Sequence, residues 1–197
     1  NNSSGMCCGT EQNTYRTVAS MVLVLPNGLV IDTGKADADE NLKSKAPGIH
    51  AGLIALRDRV RNNPDSVDLI KKLFSIKNTM GYSVNSFLDF DSPVKILEHL
   101  VVGSEGTLAF TTRITLKLDV LPPRESIMIA AHFDSIENCL NAVEFTMKHN
   151  LYNCEMMDKT ILDCTKHNKT QQENRQFIEG DPQVILMCEV KAKTLRE

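Results

Sequence analysis

Gly103 and Gly106, three residues apart, enclose Ser104 and Glu105, and Thr107 follows. Backbone without side chains can approach a ligand closely, and its N–H groups can receive phosphate oxygens. The same residues also suit a plain tight turn, and composition leaves both readings open. There is no Gly-Lys-Ser/Thr ending, so this is not a Walker A loop. The segment runs from a helix pattern at 97–102 to a strand pattern at 109–118, the reverse of a Rossmann fingerprint. A second polar, glycine-bearing stretch, Asn1-Asn2-Ser3-Ser4-Gly5, offers backbone and hydroxyl donors with few bulky obstacles.

Other reactive residue types are scattered. The five histidines, at 50, 99, 132, 149 and 167, each stand alone, without a Ser or Cys in a nucleophile signature. Structural or solvent roles are expected of them. Asp89 and Asp91 flank Phe90, but no third oxygen ligand is close, so a solvated turn is expected rather than a metal site. The six cysteines form no Cys-x-x-Cys and no His pair has zinc spacing. No metal is expected. The adjacent Cys7-Cys8 could be redox-active or a ligand pair, but small buried thiols are the expectation, in a reducing, cytoplasmic compartment.

Bulk properties exclude further classes. A chain of 197 residues can bury a real core in one domain or two small ones. Net charge is −3 with both signs interspersed, which argues against nucleic acid as a partner. The longest apolar runs are far too short to span a bilayer, so no transmembrane segment is expected. The opening residues carry neither a leader pattern nor an initiator Met, and the chain is expected to be a piece of a longer protein.

The elements that must position these residues follow from periodicity. Residues 1–17 read as a loop. The apolar run 18–25, the break Pro26-Asn27-Gly28 and the run 29–31 predict a hairpin. Residues 32–45, charged and glycine-interrupted, read as a surface loop. Ile49, Leu53, Leu56 and Val60 recur at helical spacing, and Asn63-Pro64 starts a second helix through Val67, Leu69, Ile70 and Leu73. Ser92-Pro93 caps a short helix to His99, and 110–118 predicts a half-buried strand. Pro122-Pro123 marks the boundary between units 1–123 and 124–197. Beyond it, a strand at 127–133, a helix at 135–149, a Met-rich helix holding Met156, Met157, Ile161 and Leu162, a polar loop and a strand at 184–190 follow. The class is α+β.

These residues resemble the FAD-linked oxidases of the vanillyl-alcohol-oxidase (p-cresol-methylhydroxylase-type) fold, near the D-lactate and D-2-hydroxyglutarate dehydrogenase branch. Gly103-Ser104-Glu105-Gly106-Thr107-Leu108 is similar to that family's G-S-E-G-T-L-G segment, with Ala109 where a third glycine is usual. Asn1–Gly5 is similar to its N-N-A-S-G loop, Asn78-Thr79-Met80-Gly81-Tyr82 to an N-T-x-G-Y element, and residues 21–32 to its strand-turn-strand. Residues 154–158 are similar to an E-L-M-D segment of the substrate cap. The order of these elements is more specific than any one of them.

The resemblance implies that 1–123 is the C-terminal lobe of an FAD-binding domain without its N-terminal lobe, and that 124–197 begins an α+β cap. It implies FAD contacts at Asn2, Ser3, Ser4, Gly5, Gly103, Ser104, Glu105, Gly106 and Thr107, and through the backbone at Phe110. Glu105 could accept from ribose hydroxyls or could only brace its own loop. Lys77 could face an anion or be an ordinary surface lysine. The implied activity is oxidation of a D-2-hydroxy acid by hydride transfer to flavin, with electrons passed to an acceptor that could hold the protein at the inner-membrane periphery. No catalytic base lies in the matched segments, and none of them corresponds to an iron–sulfur region or a His-rich metal motif. The fragment is expected to be inactive alone, to bind FAD weakly and to self-associate through its uncovered surface. The alternatives are a non-catalytic binding or interaction module on the same scaffold, and a sugar- or alcohol-oxidising relative.

Overall fold

The computed structural model describes residues 2, 3, 5 and 9–194. The expectations placed on Asn1, Ser4, Cys7 and Cys8 therefore lie outside the described residues. The fold is α+β, and the chain divides into two compact units, 1–119 and 120–197, each with an antiparallel three-stranded sheet.

In the first unit, β1 (Val18–Val24) is the central strand, between β2 (Val30–Asp32) and β3 (Phe110–Leu116). The predicted hairpin is β1–β2, with Val24 opposite Val30. The Gly28 N–H donates to the Leu25 carbonyl at 2.8 Å. Gly28 alone in this turn has positive φ, +81°. Pro26 thus sits second in a turn that closes on a left-handed glycine, which re-aims the chain into β2.

Helix α2 (Ala38–Lys45) and helix α6 (Pro93–Val101) pack on this sheet, with helix α3 (Pro47–Arg61) against them and helix α4 (Pro64–Phe74) against α3. Helices α3 and α4 form where predicted, but of their stripes only Leu53 and Ile70 are buried, and Leu56, Leu69 and Leu73 are exposed. The Asn63 side chain caps α4 by accepting from the Ser66 N–H. Helix α6 (Pro93–Val101) starts at the predicted cap, where Ser92 accepts from the Lys95 N–H, and every residue in it except Lys95 is buried. It is the core element of this unit, packed with Leu23, Ile31, Leu42 and Phe87.

Three predictions here need correction. Residues 14–17, expected in a loop, form a helical turn, α1 (Thr14–Thr17), because the Asn13 side chain accepts from the Arg16 N–H. The expected surface loop at 32–45 contains helix α2 (Ala38–Lys45). Only Ala38 and Leu42 are buried on it, too few apolar residues to register as a stripe, yet four apart they suffice to seat it. A further turn, α5 (Ser86–Asp89), also went unpredicted. Strand β3 is not half-buried. Phe110, Ile114 and Leu116 are all exposed, because β3 is an outer strand with little packed on either face.

In the second unit the central strand is β6 (Val184–Ala192), between β4 (Glu125–Phe133) and β5 (Asn153–Asp158). Helix α7 (Ile136–Thr146) begins where Ser135 accepts from the Asn138 N–H. Met156 and Met157, expected in a helix, lie in β5 opposite Leu186 and Ile185. Asp158 explains the division: its side chain accepts from the Ile161 N–H and starts helix α8 (Lys159–Lys166) just after them. Val184, Ile185 and Leu186 are buried. The polar segment that follows α8 contains two 3-10 turns, Lys169–Gln171 and Glu173–Arg175.

Candidate functional site

Helix α6 ends in the loop that carries the two glycines. The Ser104 N–H donates to the Val101 carbonyl at 3.1 Å, closing a turn in which Val102 has φ −67° and ψ 116° and Gly103 has φ +87°. These angles are those of a type II turn, which asks for glycine at its third position. The Thr107 N–H then donates to the Ser104 carbonyl, also at 3.1 Å, around Glu105 at φ +52° and Gly106 at φ +82°. Two successive positive φ values make this a type I′ turn. Among the described residues Glu105 is the one non-glycine residue with positive φ. Such a conformation costs an ordinary side chain roughly 1–2 kcal/mol.

The three segments singled out in the first unit converge. A Cβ at Gly103 would stand 2.8 Å from the Gly81 carbonyl oxygen and 3.8 Å from the Asn2 Cβ. Thr107 Oγ1 donates to the Ser104 carbonyl at 2.7 Å, so in its 2.9 Å contact with Tyr82 the phenol is the donor. Lys77 Nζ donates to the Gly5 carbonyl at 2.7 Å. Asn2 is buried and its Oδ1 accepts from the Tyr15 N–H at 3.1 Å, which ties the first segment to α1. Ser83 Oγ donates to the Val102 carbonyl at 2.9 Å.

What these residues leave open is as informative. Ser104 is buried, and its Oγ has no partner among the described residues, as do Asn85 Oδ1 and Ser86 Oγ. A Cβ at Gly5, Gly81 or Gly106 would meet nothing within 4 Å, so the backbone there faces open space. Glu105, Gly106 and Thr107 are exposed. Asn2, Asn78, Ser83 and Asn85 help line a cavity of about 20 Å³, room for a water but not a nucleotide. Phe110 stands apart: it is exposed on β3, paired with Val24, with no described bond to the loop.

Sequence reasoning missed a polar group on the helix that leads into this loop. Glu98, on α6, is completely buried. Lys95 Nζ reaches both its carboxylate oxygens, at 2.9 and 3.1 Å, and the Ala19 carbonyl at 3.2 Å. Thr33 Oγ1 also donates to Glu98 while accepting from the Met21 N–H. The one sequence signal was the Lys95/Glu98 spacing of three on a helix. Next to it the His99 ring stacks on Phe90 at 4.0 Å and meets Tyr15 edge-on at 4.9 Å. The Lys95 carbonyl, 2.8 Å from His99 Nδ1, can only accept, so Nδ1 carries the proton. Burial lowers the His99 pKa, outweighing that carbonyl and Glu98, and favours the neutral ring. Burial and then the Asp89 carboxylate, which accepts from the Tyr15 hydroxyl at 2.7 Å, push the Tyr15 phenol upward. Arg16, Lys95, Glu98, His99 and Lys117 help line a cleft of about 390 Å³. The Asp91 carboxyl is held low by Arg61 at 2.6 Å.

No group of three or more His, Cys, Asp or Glu side chains among the described residues could hold a metal ion. No helix among them is long and apolar enough to cross a membrane. No family model matches the chain, and no curated protein matches it.

Proposed function

We propose that the first unit carries half of an FAD site in a D-2-hydroxy-acid oxidoreductase, and that the second unit begins its substrate cap. The observation that carries this reading is the convergence of Asn2 with 78–82 and 103–107. Three stretches, far apart in sequence and each similar to a flavin-contacting or neighbouring element of one family, meet through Gly103, Gly81, Asn2, Tyr82 and Thr107. The residues fit the group. The Ser104 hydroxyl is buried without a partner, and Gly81 and Gly106 present uncovered backbone. Strain at Glu105 is the kind that folds retain at ligand sites.

In this reading the backbone of Glu105 and Gly106, left over once the Ser104 and Thr107 N–H groups have closed the two turns, receives the cofactor's polar atoms, with Ser104 donating through its hydroxyl. Glu105, an acceptor only when ionised, takes hydroxyl groups and repels phosphate. Asn2 and Thr107 act by holding the loops together, since their side chains are engaged within the protein. When bound, FAD would supply the two-electron redox chemistry that side chains lack. The exposed apolar pair Ile114 and Leu116, opposite Met21 and Val18 on one face of the sheet, is where the other lobe of the domain would pack. The same pair favours a second reading, an interaction module that keeps the scaffold without the chemistry. Free thiols suit the reducing, cytoplasmic compartment that we assign.

The test is made on the full-length protein containing this chain. It should be yellow and should bleach anaerobically with D-lactate or D-2-hydroxyglutarate, and Gly103→Val should lower its flavin content. A colourless protein that takes up no added FAD overturns the reading and leaves the interaction module.

A further inference from the structure

We propose that Cys154 and Cys188 are an oxidisable dithiol site that closes to an intramolecular disulfide on reaction with a hydroperoxide. The two residues are direct partners across the antiparallel β5–β6 ladder. Their sulfurs lie 4.0 Å apart. Opposed residues in such a ladder have Cα atoms roughly 4.5–5.5 Å apart. That spacing lies within the range a disulfide spans, so side-chain rotation can close the bond while the strands stay paired.

The two thiols differ in access. Cys154 is partly exposed, whereas Cys188 is buried and Cys139, on α7, is completely so. Burial raises the thiol pKa of Cys188, up to about 11, and that of Cys139. Attack therefore starts at Cys154. Its thiolate takes the outer oxygen of the hydroperoxide, the O–O bond breaks, and Cys154 becomes a sulfenic acid as the peroxide leaves as water or an alcohol. Cys188 sulfur then attacks the Cys154 sulfur and loses its proton, and the sulfenic oxygen leaves as water. Two thiols are oxidised, one hydroperoxide is reduced, and no other reactant is required.

The bridge would join β5 to β6 around the loop that holds α8. Cys188 also lines an apolar groove of about 540 Å³ with Ile129, Ala131, Phe133, Leu186 and Val190, so oxidation would be sensed there. The site stands on the second unit alone and does not depend on the flavin reading.

The test uses this chain, reduced, then exposed to hydrogen peroxide, alkylated with N-ethylmaleimide and digested without reduction. Mass spectrometry should find the Cys154 and Cys188 peptides joined, with two fewer alkylated thiols per monomer, reversed by dithiothreitol. In Cys188→Ser, Cys154 should stop at a sulfenic acid that dimedone traps. If Cys154 and Cys188 remain alkylated while Cys164 is oxidised, the proposal is wrong. It is equally wrong if Cys154 bridges to Cys139 or to another molecule, or passes to sulfinic acid with Cys188 still free in the unsubstituted chain.

Discussion

The α-carbon of Gly103 faces the carbonyl oxygen of Gly81 so closely that a methyl group on it would stand 2.8 Å from that oxygen. Its φ of +87° adds a second requirement for glycine. Gly106 shares the second requirement but not the first, since a Cβ there meets open space. Gly103→Ala should therefore lower stability by about 2–3 kcal/mol. Gly106→Ala should cost about 1 kcal/mol. Urea unfolding of the two variants checks the order, and equal losses would show that the contact with Gly81 is unimportant.

Glu105 separates stability from binding. Both Glu105→Gly and Glu105→Ala remove the carboxylate, but only glycine relieves the positive φ. The glycine variant should be more stable than the alanine variant by about 1 kcal/mol. In the full-length protein both should retain less flavin. Undiminished flavin content in the two would assign Glu105 to bracing its own turn.

Lys95 is the one charged partner within 3.1 Å of the fully buried Glu98 carboxylate among the described residues. Lys95→Met should destabilise by about 3 kcal/mol, because Thr33 alone cannot compensate a buried charge. Adding Glu98→Gln to that variant should recover part of the loss, and the double-mutant cycle measures the coupling. A double variant no better than Lys95→Met would show that packing, not charge, dominates.

His99 predicts a pH dependence. Burial depresses its pKa in the folded state below the unfolded value of about 6.5. Between the two values the unfolded chain holds a proton that the folded one does not, so stability rises with pH there. The contribution is complete above the unfolded value and is lost as pH falls toward the folded one. Groups around the ring pull both ways, with Lys95 lowering the value further and Glu98 and Asp89 raising it. The urea midpoint should fall between pH 7.5 and pH 5 more steeply in the unsubstituted chain than in His99→Asn. Parallel curves would remove His99 from the acid response.

Much of this architecture is legible without coordinates where local chemistry speaks for itself. Asn63 and Ser92 announce helices because each supplies the missing acceptor for a first-turn N–H. Pro26 and Gly28 announce the hairpin because each restricts or frees φ where the turn requires it. Helix α2 escaped because two buried residues make no visible stripe. Met156 and Met157 escaped because methionine suits helix and strand alike, and pairing with Ile185 and Leu186 decided between them.

By itself the sequence determined the α+β class, the hairpin, the main helix starts and the candidate loops, since these follow from side-chain chemistry within a few residues. Only tertiary structure decided that Asn2, Gly81 and Gly103 meet, that Glu98 is buried beneath a lysine, and that Cys154 faces Cys188. Each joins residues at least 22 positions apart or sets a charge's burial, and periodicity carries no information about either. The glycines at 103 and 106 stand between the two. Their need for positive φ is local, but the reason Gly103 can be nothing else is the carbonyl of Gly81, brought there by the fold.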